Sequence, residues 1–396
     1  MLITSPNFRY DSGPAARPFA GDFLQEYVGG HVVIGGDYAR FYDISQARAL
    51  EHDRQLVGFE WQAEEYFPLV YPPFYYLLVS PSSLLPFHTA ARVWAALMVA
   101  AFMAAWRLFE VGQRKLKKGS VGPWLICASL LFIPLLESIT SCQKGSVLLL
   151  ILTATWYHLT ARRPFTAGLV FGLIAFKPHF ALPIALAMLC KGQWRFVLGG
   201  FVTGISLASL CLMMGLDVCQ QYIEFSTHAA SYLQNGGYDL TKSHAWYGFF
   251  TLLFGNDSPD VVRGCTLVAG VITIGLVANT LRGPFDASHP RFAWQFSTLI
   301  LATVLLSPHL YTYDLTVLLL PLWLVASCQR GEMAASSGQN WLALLLFCLA
   351  GLSPQIAAIS GVQLTVPLML ALLVALVHRV QFPRFSHRQH QVLELV

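Results

Sequence analysis

Few residues in this 396-residue chain are of types that do chemistry, and they fall into two groups. The first is acidic and lies near the start: Asp22, Asp37 and Asp43, then Glu60, Glu64 and Glu65. A carboxylate within hydrogen-bond reach of a hydroxyl can take its proton, so these acids are candidate general bases. The second group lies far downstream, in Lys177-Pro178-His179 and in Ser307-Pro308-His309, with Asp314 soon after. A lysine closing an apolar run costs roughly 3 kcal/mol at mid-membrane, so it should snorkel or find an anion. A histidine at such a break can hold an anion or stabilise a leaving group.

Each of these residues also has a plainer reading. Asp22 precedes a helical pattern over residues 23–33, where an aspartate commonly serves as the N-cap. Gly35-Gly36-Asp37 reads as a turn, Asp43 follows the aromatic pair Phe41-Tyr42, and Glu64 and Glu65 beside Tyr66 read as a solvated face. The prolines of Tyr71-Pro72-Pro73 restrict φ and remove donors, which shapes the backbone as the chain turns toward apolar sequence. Tyr71, Tyr75 and Tyr76 would equally anchor a membrane interface. Gln143 and Lys144 are expected at the same face, with a loop over residues 217–260 that holds His228, Tyr232, Tyr238, His244 and Trp246. Aromatics there suit sugar stacking as well as an interfacial belt.

The elements that must position these groups are membrane helices. Hydrophobic residues make up 55% of the chain and charged ones 12%, and the mean hydropathy is +0.55. An all-α, polytopic helical bundle follows. Apolar runs fall at residues 89–110, 122–137, 146–161, 196–215, 261–281, 292–307, 313–328, 340–355 and 362–378. A further run after Arg163 is broken at Lys177-Pro178-His179, either as two half-spans, 165–176 and 180–190, or as one kinked helix. Residues 71–87 are too short and proline-broken to span, and suit an interfacial helix.

Residues 1–88 hold ten acids against five bases, while the rest of the chain is basic. Those bases cluster between apolar runs, a mark of topology rather than of nucleic-acid binding. Placing every cluster in the cytoplasm gives about eleven crossings. Residues 1–88 then form an external acidic region, 89–380 the bundle and 381–396 a cytoplasmic tail. An external start of that kind calls for a further hydrophobic helix upstream to begin translocation. The eight cysteines are scattered through apolar sequence with no metal-ligand spacing, and read as packing residues.

In sequence order, Asp22-Phe23-Leu24-Gln25-x-Tyr27-x-Gly29, Tyr42-Asp43, Tyr71-Pro72-Pro73 and Leu84-Leu85-Pro86 resemble the start of glycosyltransferase family 87. Gln143-x-Gly145, Lys177-Pro178-His179, Ser307-Pro308-His309 and Tyr313-Asp314 extend the likeness. The resemblance implies a GT-C-like membrane enzyme that uses a polyprenyl-phosphate sugar, with mannose the expected hexose, and a glycan or glycolipid acceptor. It implies Asp22 as the catalytic base in the first external loop, and Lys177 and His309 as donor-phosphate ligands. Tyr27, Asp37, Asp43, Tyr71, Pro72, Gln143, His179 and Asp314 would then shape the site, Asp314 pairing with Lys177 or with His309. The site would face outward from the plasma membrane.

The sequence has no Gly-rich phosphate loop, paired-histidine metal motif or nucleophile elbow. Nor does it have a soluble nucleotide-sugar domain, which favours a lipid-linked donor. No cofactor is implied. A divalent metal is compatible with Asp22 and its oxygen-bearing neighbours, but no metal ligand set is diagnostic. The competing class is a secondary transporter or lipid flippase organised around the two broken segments. A non-catalytic scaffold would not need its acids and bases gathered on one face.

Overall fold

The computed structural model describes residues 20–58, 67–116, 122–235, 239–287, 289, 291–328 and 334–381. Glu60, Glu64, Glu65, Tyr66, Tyr238 and the tail beyond residue 381 lie outside them, as does the side chain of Tyr232. Regular structure among the described residues is helical throughout. The N-terminal part holds α1 (Leu24–Gly35), α2 (Ile44–Glu51), α3 (Arg54–Val57) and α4 (Pro73–Val79). There follow α5 (Phe87–Lys115), α6 (Trp124–Ser129), α7 (Ile133–Thr140), α8 (Gly145–Thr160), α9 (Pro164–Gly172) and α10 (Pro178–Cys190). Next come α11 (Trp194–Met213), α12 (Leu216–Asn235), α13 (Trp246–Phe254), α14 (Pro259–Thr280) and α15 (Phe292–Leu306). The chain closes with α16 (Leu319–Ser327), α17 (Ser337–Leu349), α18 (Ser353–Ser360) and α19 (Thr365–Gln381).

The helix starts follow local chemistry. Proline occupies the first turn of α4, α7, α9, α10, α14 and α18, where no donor is needed and φ is already helical. Asp43 caps α2 by accepting from the Gln46 N–H at 3.0 Å. α1 ends at Gly36 with φ 72°, so the turn read at Gly35-Gly36-Asp37 is a left-handed helix stop.

Three helices, α5, α11 and α14, are long and apolar enough to cross a membrane, or up to five spans if two bent pairs each count as one. The bent pairs are α7 with α8, at 119°, and α17 with α18, at 77°. The run at 122–137, expected as one span, is instead divided. Its chain turns at Leu130–Phe132 between α6 and α7, with Pro134 opening the second piece. The run after Arg163 is likewise α9, a 3-10 turn Leu173–Phe176, and α10, broken at Lys177 because Pro178 cannot continue a helical ladder.

α15 is the axis of the packing, buried at every residue from Phe292 to Leu305, and α16 beside it buries Trp323 completely. α11 and α14 bury only 17% of their most apolar windows, the pattern of surface meant for lipid. The described part of residues 20–88 packs onto this bundle. Phe23 meets Trp94 of α5 at 5.3 Å, and the Trp94 indole donates to the Cys142 carbonyl at 2.7 Å. Tyr76 and Phe41 join the main apolar core.

Candidate active site

Asp22 lies in the 3-10 turn Gly21–Phe23, entered through Ala20 with φ 64°. Neither this turn nor α1 has a side-chain cap, so the capping role read for Asp22 is not the one it plays. Its carboxylate accepts from Gln143 Nε2 at 2.9 Å. Gln143 sits in the sharp turn between α7 and α8, held there by the Gln143 N–H bonding back to the Ser138 carbonyl at 2.8 Å. Gly145 allows that turn to approach the 3-10 turn Thr312–Leu318. A Cβ at Gly145 would lie 2.5 Å from the Tyr313 carbonyl oxygen and 2.9 Å from Thr316 Oγ1. The Gln-x-Gly motif therefore joins the Asp22 side to the Asp314 side.

Lys177 donates to Asp314 Oδ1 at 2.5 Å, with Lys177 6% exposed and Asp314 fully buried. Of the two partners read for Asp314, Lys177 is the one that meets it. Lys177 neither snorkels nor lies at an open interface. Asp314 Oδ2 accepts from the Tyr311 N–H at 3.5 Å, which ties the carboxylate to its own turn. His309 is half-buried on the segment leading into that turn, its ring 5.1 Å from that of Tyr311. Burial, aided by the Lys177 charge, pushes the His309 imidazole down to about 4, so the ring is neutral at pH 7 and offers an N–H donor rather than a positive charge. His179 opens α10 beside Lys177, with Nε2 buried and without a hydrogen-bond partner among the described residues.

The two sides share one wall. The charges of Asp22, Glu26, Lys177 and Asp314 all act on the buried Tyr71 phenol, and those of Asp22 and Asp314 on Tyr313 and Glu137. Tyr71, Tyr75 and Phe176 form this wall, with Tyr71–Tyr75 and Tyr75–Phe176 centroids 4.5 and 5.6 Å apart. Pro72 is the N-cap residue of α4 and sets its entry, and the Tyr42 hydroxyl fastens the turn by donating to the Tyr71 carbonyl at 2.6 Å.

Other predicted residues have structural roles. The Tyr27 hydroxyl donates to the Leu85 carbonyl at 2.9 Å, linking α1 to the turn before α5. Gly29 lets Tyr76 lie flat on α1, since a Cβ there would sit 2.3 Å from its ring. Asp43 is bound by Arg40 at 2.8 Å and by Ser45, and these bonds hold its carboxyl below the usual range despite its exposure. Asp37 is exposed and accepts from the Ala39 N–H at 3.3 Å. The contacts described for Asp37 and Asp43 are local to the residue 37–46 segment, away from the Asp22–Lys177 wall.

Sequence reasoning missed two features. Glu26 and Lys144, 0% and 1% exposed, form a buried ion pair beside Asp22 and Gln143. Lys144 was expected at an open interface; instead its ammonium lies 4.3 Å from the Tyr71 ring centroid. Burial pushes the Glu26 carboxyl up, and the charge and hydrogen bond of Lys144 offset this only in part. The signal was the i, i+4 spacing of Asp22 and Glu26 opposite the adjacent Gln143 and Lys144. The second is the role of His244, which was read as part of an outer-face loop but is fully buried between Thr365 Oγ1 at 2.6 Å and Thr312 Oγ1 at 3.0 Å. That imidazole fastens the 239–245 segment to the turn that carries Asp314, and burial lowers its pKa to about 3.

No group of three or more histidine, cysteine or acidic residues among the described ones is arranged to hold a metal. All eight cysteines are free thiols. In comparison with known proteins, the profile of Glycosyltransferase family 87 matches residues 69–308. The match contains Tyr71, Pro72, Gln143, Lys177 and His179, begins downstream of Asp22 and ends just before His309. No curated protein matches the chain.

Proposed function

Because the chain belongs to glycosyltransferase family 87, we propose that it transfers a hexose, mannose in the first instance, from a polyprenyl phosphate to a glycan or glycolipid acceptor. Asp22 takes the proton of the attacking hydroxyl as that oxygen bonds to the anomeric carbon. The bond from that carbon to the phosphate oxygen breaks, and its electron pair leaves with the polyprenyl phosphate. A displacement of this kind inverts the anomeric centre. Lys177 and the neutral His309 donate to the departing phosphate, whose growing charge they stabilise. Asp314 holds the Lys177 ammonium in place, and two of its three N–H donors can still face the phosphate.

The observation that carries this reading is that the Gln143–Gly145 turn joins the Asp22 side to the Asp314 side. Asp22 and the Lys177–Asp314 pair come from distant parts of the chain and act on the same buried tyrosines, Tyr71 and Tyr313. Family membership removes the case for a transporter or flippase. We further place residues 1–88 and 217–260 on the outer face of the plasma membrane, from the clustering of bases between the remaining segments. An eleven-crossing count would need α6 and α7 to cross together, yet their 6 and 8 residues reach only about 21 Å at 1.5 Å per residue.

The test is transfer from radiolabelled polyprenyl-phosphate mannose in membranes that carry the full chain. Asp22→Asn keeps the shape and removes the base, and should lower turnover by about 100- to 10,000-fold while donor binding persists. Asp37→Asn, on the exposed turn, should stay close to the parent. A well-inserted, fully active Asp22→Asn would end the assignment of the base, and a parent that uses other hexoses but not mannose would end the choice of sugar.

A further inference from the structure

The Glu26–Lys144 pair has no part in the reaction just described, yet it is the most deeply buried ion pair in the described chain and adjoins the proposed base. Glu26 Oε1 receives both the Lys144 ammonium and the Tyr75 hydroxyl, the latter at 3.2 Å, while Glu26 Oε2 is buried with no hydrogen-bond partner. Gln143 Oε1 is in the same condition. An ion pair this dry and incompletely bonded is a poor source of stability, because desolvating both charges can outweigh their attraction. Its place in the fold suggests an electrostatic use instead.

Glu26 lies four residues after Asp22, a spacing that puts Cβ atoms about 5–6 Å apart on one side of a helix. Gln143 and Lys144 face them from the turn before α8. The charges of Glu26, Lys144 and Asp22 all act on the Cys142 thiol in that turn, so the three groups share one small volume. The neutral amide of Gln143 goes to Asp22, and the charged amine of Lys144 goes to Glu26. The opposite pairing would bring an ammonium onto the base. An opposite charge at contact lowers a carboxylate pKa by about 1–3 units, and a base so weakened would take a proton less readily.

We propose that Glu26 is a positioning residue that sequesters the Lys144 ammonium, so that Gln143 rather than Lys144 meets the Asp22 carboxylate and the Lys144 charge is kept off the base. Tyr75 and the Tyr71 ring hold the pair in place, the first through its hydroxyl and the second through its face. Among the described residues, the other titratable groups that feel the Asp22 charge include Glu137 on α7, Cys142 in the turn, Tyr71 ahead of α4 and Tyr313 beside Asp314. Lys177 is committed to Asp314.

This inference rests on Asp22 being the base, and its test is separate from turnover. The full chain in detergent is treated with a hydrophobic carbodiimide, which labels protonated carboxyls, across a range of pH. Labelling of Asp22 is then read by peptide mass spectrometry. In Glu26→Gln, the freed Lys144 turns to Asp22, and the labelling midpoint should fall by about one pH unit or more. In Lys144→Met the midpoint should rise. Glu26→Gln combined with Lys144→Met carries no buried charge and guards against a misfolded single variant; its midpoint should return close to the parent's. A midpoint that stays put in both Glu26→Gln and Lys144→Met, or one that moves away from the parent's in the double variant, would overturn the proposal. Asp22→Asn retaining full transfer activity would overturn the base assignment, whatever the midpoints do.

Discussion

Lys144 reaches Glu26 between two tyrosine rings, whereas Lys177 reaches Asp314 beside two histidines and a broken helix. The first pair is enclosed on every side by protein. The second sits where Pro178 interrupts the chain and where His179 Nε2 points to no protein partner among the described residues. A buried lysine can thus do two things in one site. Enclosed, it sets the field around a neighbouring group; next to a helix break, it has donors left for a ligand.

The largest effect that would separate the pairs is on donor use. Lys177→Ala removes a contact to the phosphate and strands the buried Asp314, so kcat/KM for the donor should fall by about 100-fold or more. Lys144→Met should leave donor KM within a few-fold of the parent. Equal losses of donor affinity in both variants would erase the distinction. Breaking a buried pair from one side typically costs about 3–5 kcal/mol, so thermal unfolding in detergent should register both variants as destabilised.

A smaller effect concerns the His244 clamp beneath the Asp314 turn. The folded pKa of His244, about 3, lies below its ordinary 6.5. The unfolded chain therefore binds the extra proton first as pH falls. Stability is fully present above about pH 6.5 and declines from there toward pH 3, by about 2 kcal/mol at pH 5 from this group alone. His244→Gln should unfold with a shallower pH dependence than the parent between pH 7.5 and 5, and an unchanged slope would contradict the burial argument. His309, also lowered, adds to the same trend in both proteins. The smallest effect is Tyr27→Phe, which loses one hydrogen bond to Leu85 and should cost about 1 kcal/mol, with transfer rates little altered.

Much of this site could be read from the residues. Lys177-Pro178-His179 and Ser307-Pro308-His309 announce themselves because proline in an apolar run has to break a helix, and a charge there needs a partner. The Gln-x-Gly motif was visible, but the reason for its glycine, the Tyr313 carbonyl, lies more than 150 residues further along the chain. Glu26 was hidden because an acid among Gln25 and Tyr27 looks like part of a polar loop, although the fold buries that whole turn. Asp22 was ambiguous for the opposite reason. A cap and a base look alike in sequence, and what the structure adds is that Asp22 caps neither its own turn nor α1 and accepts from Gln143 instead. The span at 122–137 failed because hydropathy counts apolar residues and is blind to the turn at Leu130–Phe132.

The central claim is that Lys177 serves the donor while Asp22 serves the acceptor across one aromatic wall. Its most direct test is a cryo-EM structure of the full chain with a short-chain polyprenyl-phosphate mannose. The phosphate should lie within hydrogen-bond distance of Lys177 and His309, with the anomeric carbon turned toward Asp22 and Lys144 still on Glu26. A phosphate seated on Lys144, or a sugar facing away from Asp22, would contradict the account.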